Sequence, residues 1–330
     1  MSIRPIAVAL LVATLMPAAV HAQVTIRSNA GATAAAITLT RDQFRIDLGG
    51  GTTAGANGSF GALRREINWD GTPATLSAPN LLPSNFFNAT SPRGVEFTTP
   101  GTSFMVSGAT TDVGAGQPAP VNFGNLDPSY SATFAPFTAQ RLFTMRGSNI
   151  IDVRFFLPGT QTPAAVSGFG VVFSDVDLAA TTTIQLFDAG NTSLGSFFAP
   201  PGAFSFLGVF NTGLASTIAR VRITCGNVAL NPGVIDSPTT DVVVMDDFIY
   251  GEPVVIGGAS GACCHGATCA IVANSAACTA GGTYLGDARP CTAQARTGTV
   301  NLCCPTDYNN VGGLSIQDIF DFINAWFSGC

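Results

Sequence analysis

The chain has 330 residues, of which 46% are hydrophobic and 10% are charged, with 37 Gly, 20 Pro and 24 Phe. Its 14 basic residues are all Arg, and its formal net charge is −6. An acidic chain without clustered cations is a poor match for nucleic acid or for an anionic membrane surface, so we expect neither as a partner. The length allows a full hydrophobic core, and the Gly, Pro and Phe content favours short strands joined by turns.

The first 22 residues predict a secretory signal peptide. One basic residue, Arg4, precedes an apolar run from Ile6 to Val20, and small residues occupy the two positions that a signal peptidase reads, Val20 and Ala22. The run is too short to span a bilayer, and no other stretch is apolar enough to do so. We therefore expect an exported protein, extracellular or at the cell surface, without a transmembrane span.

Residues 23–253 predict a mainly β domain. Apolar and polar residues alternate in short runs separated by Gly, Pro, Asn and Asp, which is typical of a sandwich, and strand number and spacing favour a jelly roll. We expect no run of helical period longer than ten residues before residue 315. Cys225 falls on the apolar face of its predicted strand, with Val221 and Ile223, which predicts a buried thiol. The clearest predicted strands are 94–98, 103–107, 141–146, 150–157, 168–174, 182–187, 204–210, 217–225 and 241–250.

A charged segment at 64–70 contains one of the two tryptophans. One interpretation is a polysaccharide site, because an exposed Trp stacks on a sugar ring and charged groups bind its hydroxyls. The alternative is a loop held to the sandwich by pairs between Arg and Asp or Glu, with the Trp in the core. The residues concerned are Arg64, Arg65, Glu66, Trp69 and Asp70.

Two acidic pairs occur in predicted strands or at their ends, Asp175 with Asp177 and Asp246 with Asp247. Side chains alternate along a strand, so the first two share a face, whereas Asp246 and Asp247 point to opposite sides. If the two strands are neighbours, Asp175, Asp177 and Asp246 converge at a strand end. Ca²⁺ prefers such oxygen ligands, so this is one candidate calcium site.

The β region ends in an Asp246-Asp247-Phe248 strand and a Gly251-Glu252-Pro253 exit. In these features it resembles a group of exported bacterial β-sandwich proteins. The resemblance covers residues 23–253, implies the fold, and brings no catalytic motif.

Residues 254–260 predict a Gly- and Ser-containing linker, and eight of the nine cysteines follow it. The next segment, 261–303, resembles a small disulfide-stapled repeat found between exported bacterial domains and their C-terminal modules. Export and an even number of clustered cysteines favour disulfides. The alternative is a zinc site, with the candidate ligands Cys263, Cys264, His265 and Cys269.

Residues 304–330 predict a separate unit, a calcium loop followed by an amphipathic helix. The loop matches the twelve-position EF-hand pattern, with Gly312 at the sharp turn and Leu314 at the apolar position. Val311 departs from the pattern, because a side-chain oxygen is wanted at its position. The ligand positions are occupied by Asp307, Asn309, Gly313, Ser315 and Asp318.

With Asp at the last loop position and an apolar helix directly after it, this unit resembles one repeat of a dockerin, a small calcium-dependent module of secreted bacterial proteins. A dockerin has two repeats, and this chain has one. The resemblance implies Ca²⁺ as cofactor and a cohesin-like or cell-surface receptor as the partner of 304–330. Because only Asp307 and Asp318 bring charge, we expect weak affinity, about 10⁻⁴ to 10⁻³ M.

The single repeat also needs another source of stability. Cys304 precedes the loop and Cys330 follows the helix, so we expect these two to form a disulfide, which would stabilise the unit by roughly 3 kcal/mol. The helix carries an apolar stripe that must pack against another surface. Its members are Ile319, Phe322, Ile323, Trp326 and Phe327.

The catalytic chemistry available to the chain is limited. After removal of the signal, His265 is the only histidine, and there is no Lys, so the large domain lacks His- and Lys-dependent catalysis. The sequence favours a secreted or cell-surface, non-catalytic module that binds glycan and is attached through its tail. One alternative is a glycoside hydrolase with two catalytic carboxylates, for which Glu66, Glu96 and Glu252 are candidates beside the aspartates. Another is a surface structural protein without its own ligand.

Overall fold

The computed structural model describes residues 24–109, 121–212, 216–256, 261–265, 268–272, 278, 282–285, 291–295, 298–301, 319, 320 and 323. The α-helices in this part of the chain are α1 Ala34–Leu48, α2 Phe86–Ala89 and α3 Tyr130–Thr133, and short 3₁₀ helices cover Ala56–Gly58, Ala74–Leu76 and Val121–Phe123. The strands of the large domain are β1 Val24–Gly31, β2 Ser59–Phe60, β3 Arg64–Ile67, β4 Val95–Thr98, β5 Ser103–Val106, β6 Phe143–Arg146, β7 Ile150–Phe156, β8 Pro163–Ala165, β9 Gly168–Val176, β10 Thr183–Phe187, β11 Ser193–Phe198, β12 Gly202–Asn211, β13 Arg220–Thr224, β14 Val244–Gly251 and β15 Val254–Val255. Those that follow are β16 Gly261–His265, β17 Thr268–Val272, β18 Thr283–Tyr284, β19 Thr292–Ala295 and β20 Gly298–Asn301.

The strands of the large domain form two antiparallel sheets. Within the described residues, one sheet has eight strands, with the path β1-β12-β9-β14-β3-β2, and β6 and β5 are joined to it through β14. The other has seven, with the path β11-β10-β13-β7-β8-β15, and β4 is paired with β7. The mainly β, sandwich-type fold that the sequence predicts is confirmed.

One hydrophobic core fills the space between the sheets. Strand β9 contributes Phe169, Val171 and Phe173 from the eight-stranded sheet, and β7 contributes Ile151 and Val153 from the seven-stranded sheet. These side chains point inward because residues two apart on a strand share a face. Burying each one stabilises the fold by roughly 1.5 to 3 kcal/mol relative to exposure. The core thereby fixes the position of β9, whose end carries the candidate site.

Helix α1 covers the outer face of the eight-stranded sheet. Its buried side chains Ile37, Phe44 and Leu48 have helical spacing, and they pack on a separate core that includes Val172 of β9. Arg41 lies on the same buried face, where its Nη1 donates a 3.3 Å hydrogen bond to Asp247. The expectation of no long helical run before residue 315 is therefore wrong, because a charged residue interrupts the apolar period that identifies a helix.

The nine strands predicted from alternation are all present, with ends that differ by up to three residues. Cys225 is buried, with 2% of its surface exposed, as its strand position predicts. Several short or edge strands were not predicted, among them β1 and β3. Strand β15, Val254–Val255, lies in the predicted linker and pairs with β8, so the sheet extends two residues into that segment.

The cysteine-rich segment forms small antiparallel sheets of its own. Strand β16 pairs with β17 and β18, and β19 pairs with β20. Disulfides join Cys263 to Cys278 and Cys269 to Cys291. The disulfide framework predicted for this segment is confirmed for these four cysteines, which supply the cross-links that such short strands need.

Most of the tail unit lies outside the described residues. Ile319, Phe320 and Ile323 are helical and exposed. None of the helices in the described part of the chain has both the length and the apolar character required to cross a membrane. The predicted calcium ligands Asp307, Asn309, Gly313, Ser315 and Asp318 and the predicted Cys304–Cys330 pair fall outside the described ranges.

Candidate metal centre

Three carboxylates meet at one end of strand β9. Asp175 lies in the strand, Asp177 follows it directly, and Asp236 comes from the segment 225–243, between β13 and β14. One oxygen from each carboxylate lies within 4.8 Å of the other two. The sequence identifies Asp175 and Asp177 as candidate ligands, and the fold adds Asp236, which no sequence pattern marked.

Asp175 has an unusual backbone conformation for a strand residue. Its φ is +71°, in the left-handed region, which Asp tolerates better than most residues because its short polar side chain bonds locally. The residue before it, Ser174, remains paired with Phe204 on one side and with Val244 on the other. The irregularity is therefore confined to the end of the strand, where the candidate ligand lies.

Burial and mutual repulsion raise the pKa values of two carboxyls in the cluster. The pKa of Asp175 rises to about 7, first through burial and then through the charges of Asp177, Asp236 and Asp241. The pKa of Asp236 rises to about 6, mainly through burial; a hydrogen bond from the Val242 N–H opposes this rise, and a hydrogen bond with Asp177 adds to it. Oδ2 of Asp175 is buried and has no hydrogen-bond partner in the part of the chain that the structure describes. Within the described ranges, no arginine is paired with these carboxylates, so a bound cation would relieve their mutual repulsion.

Asp241 supports the cluster from the interior. Its side chain is fully buried, and its Oδ1 accepts a 3.0 Å hydrogen bond from the Asp177 N–H, while Oδ2 accepts one from the Thr181 hydroxyl. The Asp241 N–H donates to Oδ1 of Asn227 at 2.9 Å. Because both of its carboxylate oxygens are occupied, Asp241 positions Asp177 and adds negative charge to the site.

The donor set suits Ca²⁺. This ion prefers carboxylate oxygens at about 2.3 to 2.6 Å, so two oxygens bound to one ion are at most about 5 Å apart. The mutual separation of 4.8 Å or less meets that limit. The cluster contains neither Cys nor His, the ligands that distinguish zinc sites. Backbone carbonyls and water would complete the shell of about six to eight oxygens.

Asp246, the third ligand that the sequence predicts, does not join the cluster. Strands β9 and β14 are neighbours, as that prediction requires, but a β-bulge between Met245 and Phe248 breaks the alternation of β14. Asp246 is fully buried, and its Oδ2 accepts hydrogen bonds from the N–H groups of Phe137 and Thr138. Asp246 thus holds the loop that contains Phe137 and Thr138 on the sheet. Its assignment as a calcium ligand is wrong.

Trp69 does not form the exposed platform required for a polysaccharide site at residues 64–70. It has no exposed surface, and its Nε1–H donates a 2.8 Å hydrogen bond to the carbonyl of Asp246. A buried ring cannot stack on a sugar. The alternative, with Trp69 in the core, is correct.

The charged residues of the same segment are bound within the protein. Glu66 is 2.8 Å from Arg64 and 2.6 Å from Arg45 of α1. Arg65 is 2.7 Å from the Glu252 carboxylate. Asp70 accepts hydrogen bonds from the N–H groups of Gln140 and Arg141. Their role is to pin the loop to the sandwich.

His265 lies beside a disulfide. Its Nε2 is 3.5 Å from Sγ of Cys263, which is bonded to Cys278. Cys264 and Cys269 are also disulfide-bonded. Zinc binds the thiolate form of cysteine, which a disulfide removes, so the structure favours the disulfide interpretation over the zinc site.

No protein-family model, curated protein or solved structure matches this chain. The resemblances to exported β-sandwich proteins and to a dockerin repeat therefore rest on sequence features alone.

Proposed function

We propose that this chain is an exported, non-catalytic β-sandwich protein that binds Ca²⁺ through Asp175, Asp177 and Asp236. The observation that carries the proposal is the approach of three carboxylates from two segments, together with a buried oxygen of Asp175 that has no hydrogen-bond partner among the described residues. Like charges this close repel one another, and a divalent cation removes the repulsion. The ion would tie the segment 225–243 to the end of β9.

The surroundings of the glutamates favour a binding or structural role over a glycoside hydrolase. Glu66 and Glu252 are held by arginines. Glu96 accepts 2.9 Å hydrogen bonds from Asn88 and Gln161. A hydrolase needs one carboxylic acid and one carboxylate that face the scissile bond. Glutamates that are already bound to other side chains of the protein do not supply that pair.

The proposed location and attachment rest on the two ends of the sequence. Residues 1–22 have the features of a signal peptide, and the disulfides of the cysteine-rich segment agree with an oxidising compartment. Residues 304–330 are proposed as a second calcium-binding unit and as the attachment to a cohesin-like or cell-surface receptor. The two calcium sites must be distinguished experimentally.

Thermal unfolding of the full chain in 10 mM CaCl₂ and in EGTA tests the sandwich site. For an affinity of about 10⁻⁴ to 10⁻³ M, the ion would stabilise the folded state by about 1.4 to 2.7 kcal/mol. In a domain of this size, that corresponds to an increase in Tm of roughly 3 to 10 °C.

Variants separate the sandwich site from other sources of calcium binding. Asp236→Asn is expected to remove most of the shift and to raise Tm in EGTA, because it relieves the repulsion in the metal-free cluster. Asp188→Asn, a charge-matched change in a turn, is expected to keep the shift, and Asp307→Asn reports the contribution of the tail. An Asp236→Asn protein with the full calcium shift would contradict the proposal.

A further inference from the structure

We propose that the outer face of the seven-stranded sheet binds an acidic polysaccharide through Arg154, Arg220 and Arg222, a group that we call the arginine face. None of these arginines belongs to the carboxylate cluster, so the arginine face would be a second site, separate from the calcium site. A glycan bound here would occupy a surface that the sequence did not identify, in place of residues 64–70.

The strand register brings these arginines together. In β13, Val221 and Ile223 point into the core, so Arg220 and Arg222 lie on the outer face. In β7, Ile151 and Val153 point inward, so Asp152 and Arg154 lie on that same outer face. Arg220 pairs with Arg154 across the two strands, and Arg222 pairs with Asp152.

The arginine face has an excess of positive charge in a chain whose net charge is −6. Asp152 is the carboxylate between Arg220 and Arg222; it is 2.7 Å from the first and 2.8 Å from the second. Arg154 is exposed and has no ion-pair partner among the described residues. On its other side, Arg154 pairs with Glu96 of β4, so the face carries three arginines and two carboxylates. Like charges directly opposite each other destabilise a sheet, and a ligand carboxylate bound over Arg154 and Arg220 would offset the repulsion between them.

The groups around the arginines are those that recognise sugars. Gln185 pairs with Arg222 on one side and with Ser196 on the other, which places amide and hydroxyl groups beside the guanidinium. Phe198 pairs with Thr183 at the edge of the same face and is 54% exposed. An exposed aromatic ring stacks on the apolar face of a sugar, and its polar neighbours bind hydroxyl groups.

The hydrogen-bonding geometry of the arginine guanidinium indicates which acid group the ligand carries. Arg binds carboxylate with two parallel hydrogen bonds, so a polymer of uronic acids matches a row of arginines set among polar side chains. A nucleic acid is a poorer match, because the acidic chain has no Lys and repels a dense phosphate backbone at long range.

Affinity electrophoresis of the full chain in gels that contain polygalacturonate tests the proposal, with EGTA present so that calcium neither gels the polymer nor occupies the carboxylate cluster. We expect retardation at low salt that weakens as NaCl is raised, and no retardation by neutral dextran. Arg154→Gln is expected to weaken binding at least about fivefold, and Phe198→Ala to weaken it as well. Asp152→Asn removes the carboxylate that binds Arg220 and Arg222, and it is expected to tighten binding.

Arg27→Gln, on the eight-stranded sheet, is the matched control, because it removes the same charge from a half-exposed arginine elsewhere. Loss of binding in Arg154→Gln with normal binding in Arg27→Gln supports the proposal. An unretarded wild-type chain, equal losses in both variants, or equal retardation by dextran or by single-stranded DNA overturns it. Since EGTA is present throughout, a failure here leaves the calcium proposal intact, and the reverse also holds.

Discussion

The indole of Trp69 lies parallel to the ring of Phe143, with the ring centroids 3.9 Å apart. Phe87 and Phe248 pack edge-on against the indole, with ring centroids 5.4 and 5.1 Å from that of Trp69. The indole N–H is bonded to the Asp246 carbonyl, so this large aromatic side chain is buried without an unsatisfied donor. Trp69 thereby joins the charged loop to the last long strand of the sandwich.

Replacing Trp69 by Phe tests that connection. The variant loses the hydrogen bond to the buried Asp246 carbonyl and leaves a cavity where the second indole ring was, so we expect the free energy of unfolding to fall by about 2 to 4 kcal/mol. Urea denaturation followed by circular dichroism measures the change. Phe198→Leu, an aromatic replacement on the surface, should alter stability by less than about 0.5 kcal/mol. Equal stability of the Trp69 variant and the wild type would contradict the core assignment.

The pair of arginines around Asp152 predicts a stability that depends on pH. Burial alone would raise the pKa of Asp152, but hydrogen bonds from Arg222 and Arg220 outweigh it and lower the pKa below the ordinary value. A carboxyl whose pKa is lowered by folding stabilises the protein fully above its unfolded pKa of about 3.9, and this stabilisation disappears as the pH falls through the folded-state pKa.

We therefore expect Asp152→Asn to lower the free energy of unfolding by about 1 to 3 kcal/mol at pH 7. The difference from wild type should shrink as the pH is lowered from 4 toward 2, because the wild-type carboxyl then becomes neutral too. Urea titrations across this range measure it. A difference that stays constant with pH would show that the ionised carboxylate is not the stabilising group.

Close packing of α1 on the sheet predicts a large effect from one added methyl group. A Cβ on Gly208 would lie 2.6 Å from Cδ2 of Phe44, well inside contact distance. Gly208→Ala should therefore lower the free energy of unfolding by about 1 to 3 kcal/mol. Gly71→Ala is the control, since a Cβ there meets nothing within 4 Å. In the Gly208→Ala background, Phe44→Leu should cost less than it does alone, because the smaller side chain relieves the clash.

The thiol of Cys225 should react only when the protein unfolds. It forms no disulfide with a described cysteine and is 2% exposed, and burial raises its pKa, so both access and ionisation are suppressed. Iodoacetamide labelling followed by mass spectrometry should leave Cys225 unmodified in the native protein and modify it in guanidinium chloride. Rapid labelling of the native protein at this residue would contradict its core position.

Strands were predicted well from the sequence where one face of the strand is buried and the other is exposed to solvent. Strands β7 and β13 alternate for this reason, and their apolar residues are the ones found in the core. Strand β1 has no such contrast, because it lies at a sheet edge and most of its residues are partly exposed. The helix that follows it escaped prediction because Arg41 is buried by a partner, Asp247, which lies far away in the sequence.

The candidate site could be predicted only in part. Asp175 and Asp177 were identifiable because a strand end with two acidic residues on one face is a local pattern. Asp236 belongs to a segment without periodicity, so its approach to the other two is a consequence of tertiary structure. Asp246 was assigned wrongly because the prediction assumed that side chains alternate strictly along β14, and a β-bulge breaks that alternation.

The pairing of β1 with β12 has a consequence for how the chain acquires its structure. Val24 pairs with Asn211, and Gly31 pairs with Phe204, so the first strand finds its only sheet neighbour among the described residues after most of the large domain has been synthesised. Such distant pairing slows folding. Until β12 has been synthesised, β1 has no strand to pair with, and the apolar side of α1 remains exposed to solvent. The domain therefore completes its folding late in synthesis. A chain truncated before residue 202 should bind chaperones.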